Sequence, residues 1–305
     1  MSVGRHFAAS RYYLCTILIA LVMSFGITPL ASGQSTRDFT VLLPEHVVDL
    51  VQVEQTPSNN LQFTIKNASN KTILELCISA QRGSKFEEMV CMHGFGGGGT
   101  LPEPGATMSF IFDAKEFVSD GQLGEPLQKS LRVYAVVYTD GSHIGSKNIL
   151  DKIEDHMIGV ALETKRISDI LAACPDDSAN GLDSVLPQIG TSPSSTTNAD
   201  AADRLAGKLQ GQSLPGIDQS YIDSHLNLHT TDFLDGVALA RDRALAEIDS
   251  LKATAALSPG GGIVMSKIVS TARLHGRADL ARKYQLLSQS QITYLAAFKG
   301  ERNAH

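Results

Sequence analysis

The sequence predicts an α+β chain: an antiparallel β-sandwich with a long helix packed on it, followed by a helical hairpin. Three observations carry this reading. Short apolar runs punctuated by turn clusters fill the region from Phe39 to Thr139. The stretch Leu131 to Ala173 reads as a strand, an Asp140-Gly141 turn and one long amphipathic helix. Two further helical patterns follow, separated by Pro259-Gly-Gly-Gly262.

Residues 1–33 have the pattern of a secretory signal peptide. Arg5 and Arg11 precede an apolar run from Leu14 to Phe25, and small Ala31 and Gly33 sit at the cleavage position. The run is shorter than the roughly 20 residues that span a bilayer. The segment thus touches a membrane only if it stays attached, and the expected location is periplasmic or extracellular. Residues 1–33 hold two of the 26 Lys and Arg and none of the 32 Asp and Glu. A chain cleaved after Gly33 therefore has net charge −8. An acidic chain argues against nucleic-acid binding, which depends on Lys and Arg neutralising phosphates.

The strands come in order. Phe39 to Val53 is a first strand region interrupted by Pro44, and its poor alternation fits an edge. Leu61, Phe63 and Ile65 alternate cleanly after the Pro57–Asn60 turn. Leu74, Leu76 and Ile78 alternate with Glu75, Cys77 and Ser79. A three-residue loop at Gly83-Ser-Lys85 places Cys77 directly opposite Cys91 on the next strand. In an exported chain those two form the best disulfide pair, closing a loop of about 14 residues for roughly 3 kcal/mol. Cys174 is then left over. Met108, Phe110 and Phe112 mark a further strand. In the last strand Leu131, Val133, Ala135 and Val137 share one face, and Tyr134, Val136 and Tyr138 the other. Asp140-Gly141 suits a type I′ hairpin.

Ser146 is placed to cap the long helix with its hydroxyl. Ile149, Ile153, Met157, Val160, Thr164, Ile167 and Leu171 form one stripe of about seven turns. It is expected on the outer face of the sheet, against Tyr134 and Tyr138. Residues 39–173 thus make the first unit. Residues 174–202, rich in Ser, Thr, Asn, Asp and Gly, read as a flexible linker. Residues 203–300 read as the helical hairpin. One helix runs from Ile217 to Ala255, with Leu234, Val237, Arg241, Ala244, Ile248, Leu251 and Ala255 in its stripe. The other runs from Ile263 to Phe298, with Leu280, Tyr284, Leu287, Tyr294 and Phe298 in its stripe. Such narrow, coiled-coil-like stripes pack modestly, on the long helix or on a second copy of the chain.

No catalytic residue, cofactor-binding residue or cofactor is assigned. Gly94-Phe-Gly-Gly-Gly-Gly-Thr100 lacks the Lys and the following helix of a phosphate loop, so a plain loop between strands explains it better. Two metal sets are weighed: the three thiols Cys77, Cys91 and Cys174, which no Cys-x-x-Cys or clustered His spacing supports, and the closer set His225, His229 and Asp232. The latter three are spaced for one helix face, but no Glu follows His225, and a solvated polar face is the commoner cause. His156, between acidic neighbours that do not share its face, reads as surface. Asn67-Ala-Ser69 and Asn70-Lys-Thr72 match the glycosylation pattern, yet turn chemistry explains both better. No Gly-x-Ser-x-Gly, Ser-x-x-Lys or paired-carboxylate pattern is present.

Phe63-Thr-Ile-Lys-Asn67, Ser69, Lys71-Thr-Ile73 and the later Val136-Val-Tyr-Thr-Asp-Gly-Ser142 before a long helix are similar to a group of uncharacterised exported bacterial proteins with an immunoglobulin-like sandwich. The resemblance covers Val47 to Ala173 and rests on structural turns. It implies the sandwich and the following helix, and no activity or site residues. The expected role is a non-catalytic binding or scaffolding module of the cell envelope. Its partner would be an envelope protein or a second copy joined through the helices. The alternative is a secreted hydrolase with residues brought together from distant segments.

Overall fold

The structure, a computed structural model, describes residues 39–42, 47–56, 58, 60–82, 89–95, 101–112, 129–174, 179–190, 207, 209–228, 230–256 and 277–304. Residues 1–33, which carry the expected signal pattern, residues 96–100 of the glycine-rich loop and His229 lie outside them. Eight strands and five helices occupy the described residues: β1 (Phe39–Leu42), β2 (Val48–Gln55), β3 (Leu61–Asn67), β4 (Ile73–Arg82), β5 (Met89–His93), β6 (Thr107–Phe112), β7 (Lys129–Tyr138), β8 (His143–Gly145), α1 (Lys147–Ala173), α2 (Ala179–Ile189), α3 (Gln219–Leu228), α4 (Thr231–Ala256) and α5 (Arg277–Ala304).

The strands form two sheets. One has the order β1-β7-β4-β5, with β8 pairing β7; the other is β2-β3-β6. Pairing is antiparallel except between β1 and β7. The segment around Pro44 therefore sends its two strands to different sheets, each at an edge as the poor alternation implied. Between the sheets lies one apolar cluster containing Leu61, Phe63, Ile65, Leu76, Ile78, Phe110, Phe112 and Leu131. Phe63 and Phe112 meet edge to face at 5.4 Å.

Two bulges reset which residues face where. The β4–β7 register shifts between Ile73 and Glu75 and again between Cys77 and Ile78. An extra residue flips every following side chain. On β7, Leu131 and Val133 enter the inter-sheet cluster, and after the bulge at Tyr134 so do Val136 and Tyr138. Ala135 and Val137 turn to the helices instead. The single-face reading of Leu131 through Val137 is corrected accordingly. Tyr134 packs on the helical side as expected, whereas Tyr138 does not. Leu74 likewise leaves Leu76 and Ile78 for the helical side.

Asn67 is fully buried and holds a turn. Its Nδ2 donates to the Lys71 and Pro102 carbonyls at 2.8 and 2.9 Å, and its Oδ1 accepts from Ser69 N at 3.0 Å. It is a structural side chain rather than a glycan acceptor. The β7–β8 connection is a three-residue loop, not a two-residue type I′ turn: Tyr138 N donates to Ser142 O at 2.9 Å, and Gly141 takes φ 86°. A Cβ on Gly141 would also meet the Ala297 backbone of α5.

Helix α1 begins after Ser146, whose hydroxyl makes no capping bond, contrary to expectation. Its expected stripe is buried from Ile153 onward, with Ile149 half-buried, and Ile158, Gly159, Ala161 and Leu162 are buried on other sides. The reason is that α4 and α5 both lie along it while the sheet covers it from beneath. The expected linker is also corrected. Within it, α2 buries Leu182, Val185 and Ile189 against Ile167, Leu171, Ile248 and Tyr284. That spacing is about two amphipathic turns, which average composition conceals. The single helix expected from Ile217 is two. It breaks before Thr230, whose Oγ1 accepts the Phe233 amide at 3.2 Å and so caps α4. In α5 the middle of the buried stripe is Ser288, Gln291 and Leu295, with Leu287 and Tyr294 only half-buried.

Helices α1 and α4 cross at glycines. A Cβ on Gly159 would strike the Phe233 carbonyl, and one on Gly236 the His156 carbonyl. Gly236→Ala is therefore expected to destabilise the chain by about 2–3 kcal/mol, the scale of core overpacking. Gly300→Ala, with nothing within 4 Å of its Cβ, is expected to be neutral or stabilising. Denaturant unfolding midpoints compare the two. Asn67→Ala removes the two Nδ2 hydrogen bonds and the acceptor of the Ser69 amide, leaving the Pro102 and Lys71 carbonyls only the Ile73 amide and the Ser69 hydroxyl as donors, and is expected to cost about 2–4 kcal/mol in the same measurement.

Candidate functional site

The bulged face of β4 and β5 meets α1 and α4 at a cleft of about 250 Å³. It is lined by Cys77, Met89, Cys91, His93, Ile149, Lys152, Ile153, His156, Asp232 and Asp235. Cys77 and Cys91 are directly paired across β4 and β5 and form a disulfide, as the hairpin register predicted. Alternation places Met89, Cys91 and His93 on one face of β5. On α1, Ile149, Lys152, Ile153 and His156 recur every three or four residues and share a side. On α4, Asp232 and Asp235 do the same.

Glu75 is fully buried and anchors the site. Its Oε2 meets His93 Nδ1 at 2.8 Å, and its Oε1 accepts the Phe95 amide at 2.9 Å. Phe95 O in turn accepts from Gln291 of α5 at 2.9 Å. Burial pushes the Glu75 carboxyl up, against the pull of His93 and the Phe95 amide. Burial opposes the His93 imidazolium, but the Glu75 hydrogen bond and charge, with Asp235 and Asp232 behind, hold it above the usual histidine value. Within the pair the Phe95 amide favours the charged Glu75 carboxylate, which in turn favours the His93 imidazolium.

His93 stacks on His156, centroids 4.0 Å apart and planes 26° apart. His156 is buried, not on the surface as expected. Burial and the neighbouring His93 charge push it down to about 3, while a hydrogen bond to the Asp232 backbone acts the other way. Its Nε2 has no hydrogen-bond partner. The ring is thus neutral at ordinary pH, hydrogen-bonded to the Asp232 backbone, with Nε2 buried and without a partner among the described residues. Burial also raises Asp232 and Asp235.

The residues of the anticipated metal set part company. His225 lies on α3, its Nδ1 2.5 Å from Asp155 Oδ1, and Thr230 donates to the other Asp155 oxygen at 3.0 Å. Asp232 lies on α4 in the cleft. Among the described residues no group of three or more His, Cys, Asp or Glu side chains is placed to hold a metal ion. Cys174 remains a buried thiol, 3.4 Å from Ser184 Oγ.

A second buried polar cluster is structural. Glu163 accepts from Arg166 Nε and Nη2 at 2.8 and 2.7 Å and from Arg241 Nε at 2.8 Å. Arg166 also donates to the Gln188 and Ile189 carbonyls at 2.9 and 3.0 Å, closing the end of α2. Near the start of α1, Arg302 of α5 pairs with Asp151 and Glu154, and Tyr221 donates to Glu154.

The cleft was not found by motif. Glu75, His93, His156, Asp232 and Asp235 come from four elements, and only the Cys77–Cys91 register pointed to the place. Among the described residues no helix is long and apolar enough to cross a membrane. Comparison of the chain with family models, curated proteins and solved structures gives no match.

The His156 environment has a stability consequence. Its folded-state value lies below its unfolded value of 6.5, so between pH 6.5 and about 3 only the unfolded chain binds this proton. Stability attributable to the neutral ring is full above that window and falls as the pH drops through it, by as much as ~1.4 kcal/mol per unit. Wild type is expected to lose about 2 kcal/mol more than His156→Gln between neutral pH and about pH 5. Paired unfolding curves at the two pH values isolate this from the opposing Glu75 and His93 contributions.

Proposed function

We propose that this chain is an exported, non-catalytic binding module of the cell envelope: an immunoglobulin-like sandwich bearing a helical hairpin, with its ligand site in the His93–His156 cleft. One observation carries the reading. The cleft gathers buried, convergent polar groups and an open imidazole acceptor, yet its described lining includes no hydroxyl, and both its cysteines are joined. That is equipment for recognition without a protein nucleophile. A disulfide in the sheet supports the oxidising compartment implied by the N-terminal pattern.

A hydrolase is the second reading, favoured by the Glu75–His93 pair on the cleft wall. A histidine oriented by a buried carboxylate can activate water. Turnover of ester or amide substrates that is lost in His93→Gln would establish this reading, and its absence across a substrate panel would remove it.

The test of the binding reading uses the full chain expressed in a bacterial host. It is expected to appear outside the cytoplasm without residues 1–33. The purified protein is expected to show saturable shifts of the His93 and His156 ring resonances with at least one class of small solute. Cytoplasmic retention, or rings indifferent to every solute and every cross-linked envelope component, would overturn it.

A further inference from the structure

The geometry points to a small organic monocation, a primary alkylammonium, as the ligand class of the cleft between β5, α1 and α4. This rests on the binding reading above and adds the chemistry of the ligand. The first observation is His156. The residue is only 6 % exposed, it lines the cleft, and its Nε2 acceptor has no donor among the described residues. A buried acceptor without a donor is costly, and a ligand N–H would remove that cost.

The second observation is charge. Among the described residues the titratable groups lining the cleft are His93 from β5, Lys152 and His156 from α1, and Asp232 and Asp235 from α4, with Glu75 of β4 behind His93. Glu75 is answered by His93. Lys152 answers one of the two aspartates, and His156 is neutral. One negative charge is left over, on a carboxylate partly withdrawn from water. A single positive charge completes the balance, and burial of both aspartates rewards it.

The third observation is shape and donor count. A primary ammonium carries three N–H donors; the described lining offers the Asp232 and Asp235 carboxylates, and the buried, unpartnered His156 Nε2 belongs to a residue of the same lining. Met89, Ile149, Ile153 and the disulfide form an apolar wall for an alkyl tail. Among the described lining residues there is no aromatic carbon ring of the kind that cages quaternary ammonium groups. The imidazoles stack side by side, so their nitrogens do not converge on one point as a metal would require. A volume of about 250 Å³ suits a short chain.

Titration calorimetry of the full chain near neutral pH with n-butylammonium chloride tests this, with n-butanol as the neutral isostere. Saturable binding of the ammonium and none of the alcohol is expected. Asp235→Asn, at the exposed mouth of the cleft, should weaken binding roughly tenfold or more. Asp169→Asn, on a distant exposed turn of α1, should leave it unchanged. Binding should also weaken in acid, as the aspartates, raised above the usual carboxylate range by burial, protonate. Equal binding of the alcohol, indifference to Asp235→Asn, or no binding of the ammonium would overturn the inference. If the ammonium fails while a neutral or anionic solute shifts the His93 and His156 resonances, only the cation chemistry falls. If every solute and envelope component fails, the binding reading falls with it.

Discussion

The close crossing of α1 and α4 is the constraint on which the rest of the structure depends. Gly159 and Gly236 each leave room for the other helix's backbone, and no other residue could. Both sides of the crossing follow from that approach. One turn before Gly159 stands His156, and one turn after it stands Glu163. On α4, Asp232 precedes Gly236 by one turn and Arg241 follows it by a little more than one. Separating the helices by the width of a methyl group would draw Asp232 from the histidine cleft and Arg241 from Glu163 together. Interiors are packed too densely for either side to absorb such a shift alone.

The two polar groups beside the crossing act differently. Glu163 with Arg166 and Arg241 is a buried ionic cluster. Withdrawing those charges from water costs several kcal/mol per ion, and the hydrogen bonds roughly offset it. Its consequence is register rather than net stability. Apolar stripes alone would let α4 slide along α1 by a turn at modest cost. The two guanidinium groups, one also fixed to the end of α2, allow a single setting. The histidine cluster is incomplete by comparison. Glu75 and His93 satisfy each other, but His156 keeps an acceptor open. A satisfied network fixes a fold, and an unsatisfied one leaves a place for something else.

Much of the strand order was legible because alternation and turn residues speak locally. Phe63 with its neighbours, the Cys77–Cys91 register, the α1 stripe and the Leu234-to-Ile248 stripe all lie as the sequence implied. The failures share a cause. A bulge leaves no mark on an alternating apolar run, so Tyr138 was assigned to the wrong face. The Thr230 cap looked like one more polar residue in a long helix. Helix α2 was hidden by the polar residues between its few apolar ones. The cleft was invisible for a stronger reason. Its residues are up to 160 positions apart, from Glu75 to Asp235, and each alone has an ordinary surface explanation.

A division into sandwich and helical units, as composition suggests, does not describe where the apolar surface goes. One cluster joins Leu74, Cys77, Ala135 and Val137 of the sheet to Met157, Phe233, Val237, Leu295 and Phe298 of three helices. Burying each large apolar side chain contributes roughly 1.5–3 kcal/mol, and here the partners come from both halves of the chain. Glycine at position 141 extends the same dependence, because the β7–β8 loop can approach α5 only without a Cβ. The sheet needs the helices to cover its outer face, and α1 needs the sheet, α4 and α5 to cover its other sides. The histidine cleft opens along this shared boundary, with β5 on one wall and α1 and α4 on the other. Its shape is therefore a property of the two layers together. Anything that seats in it contacts both, and gains from holding them in register.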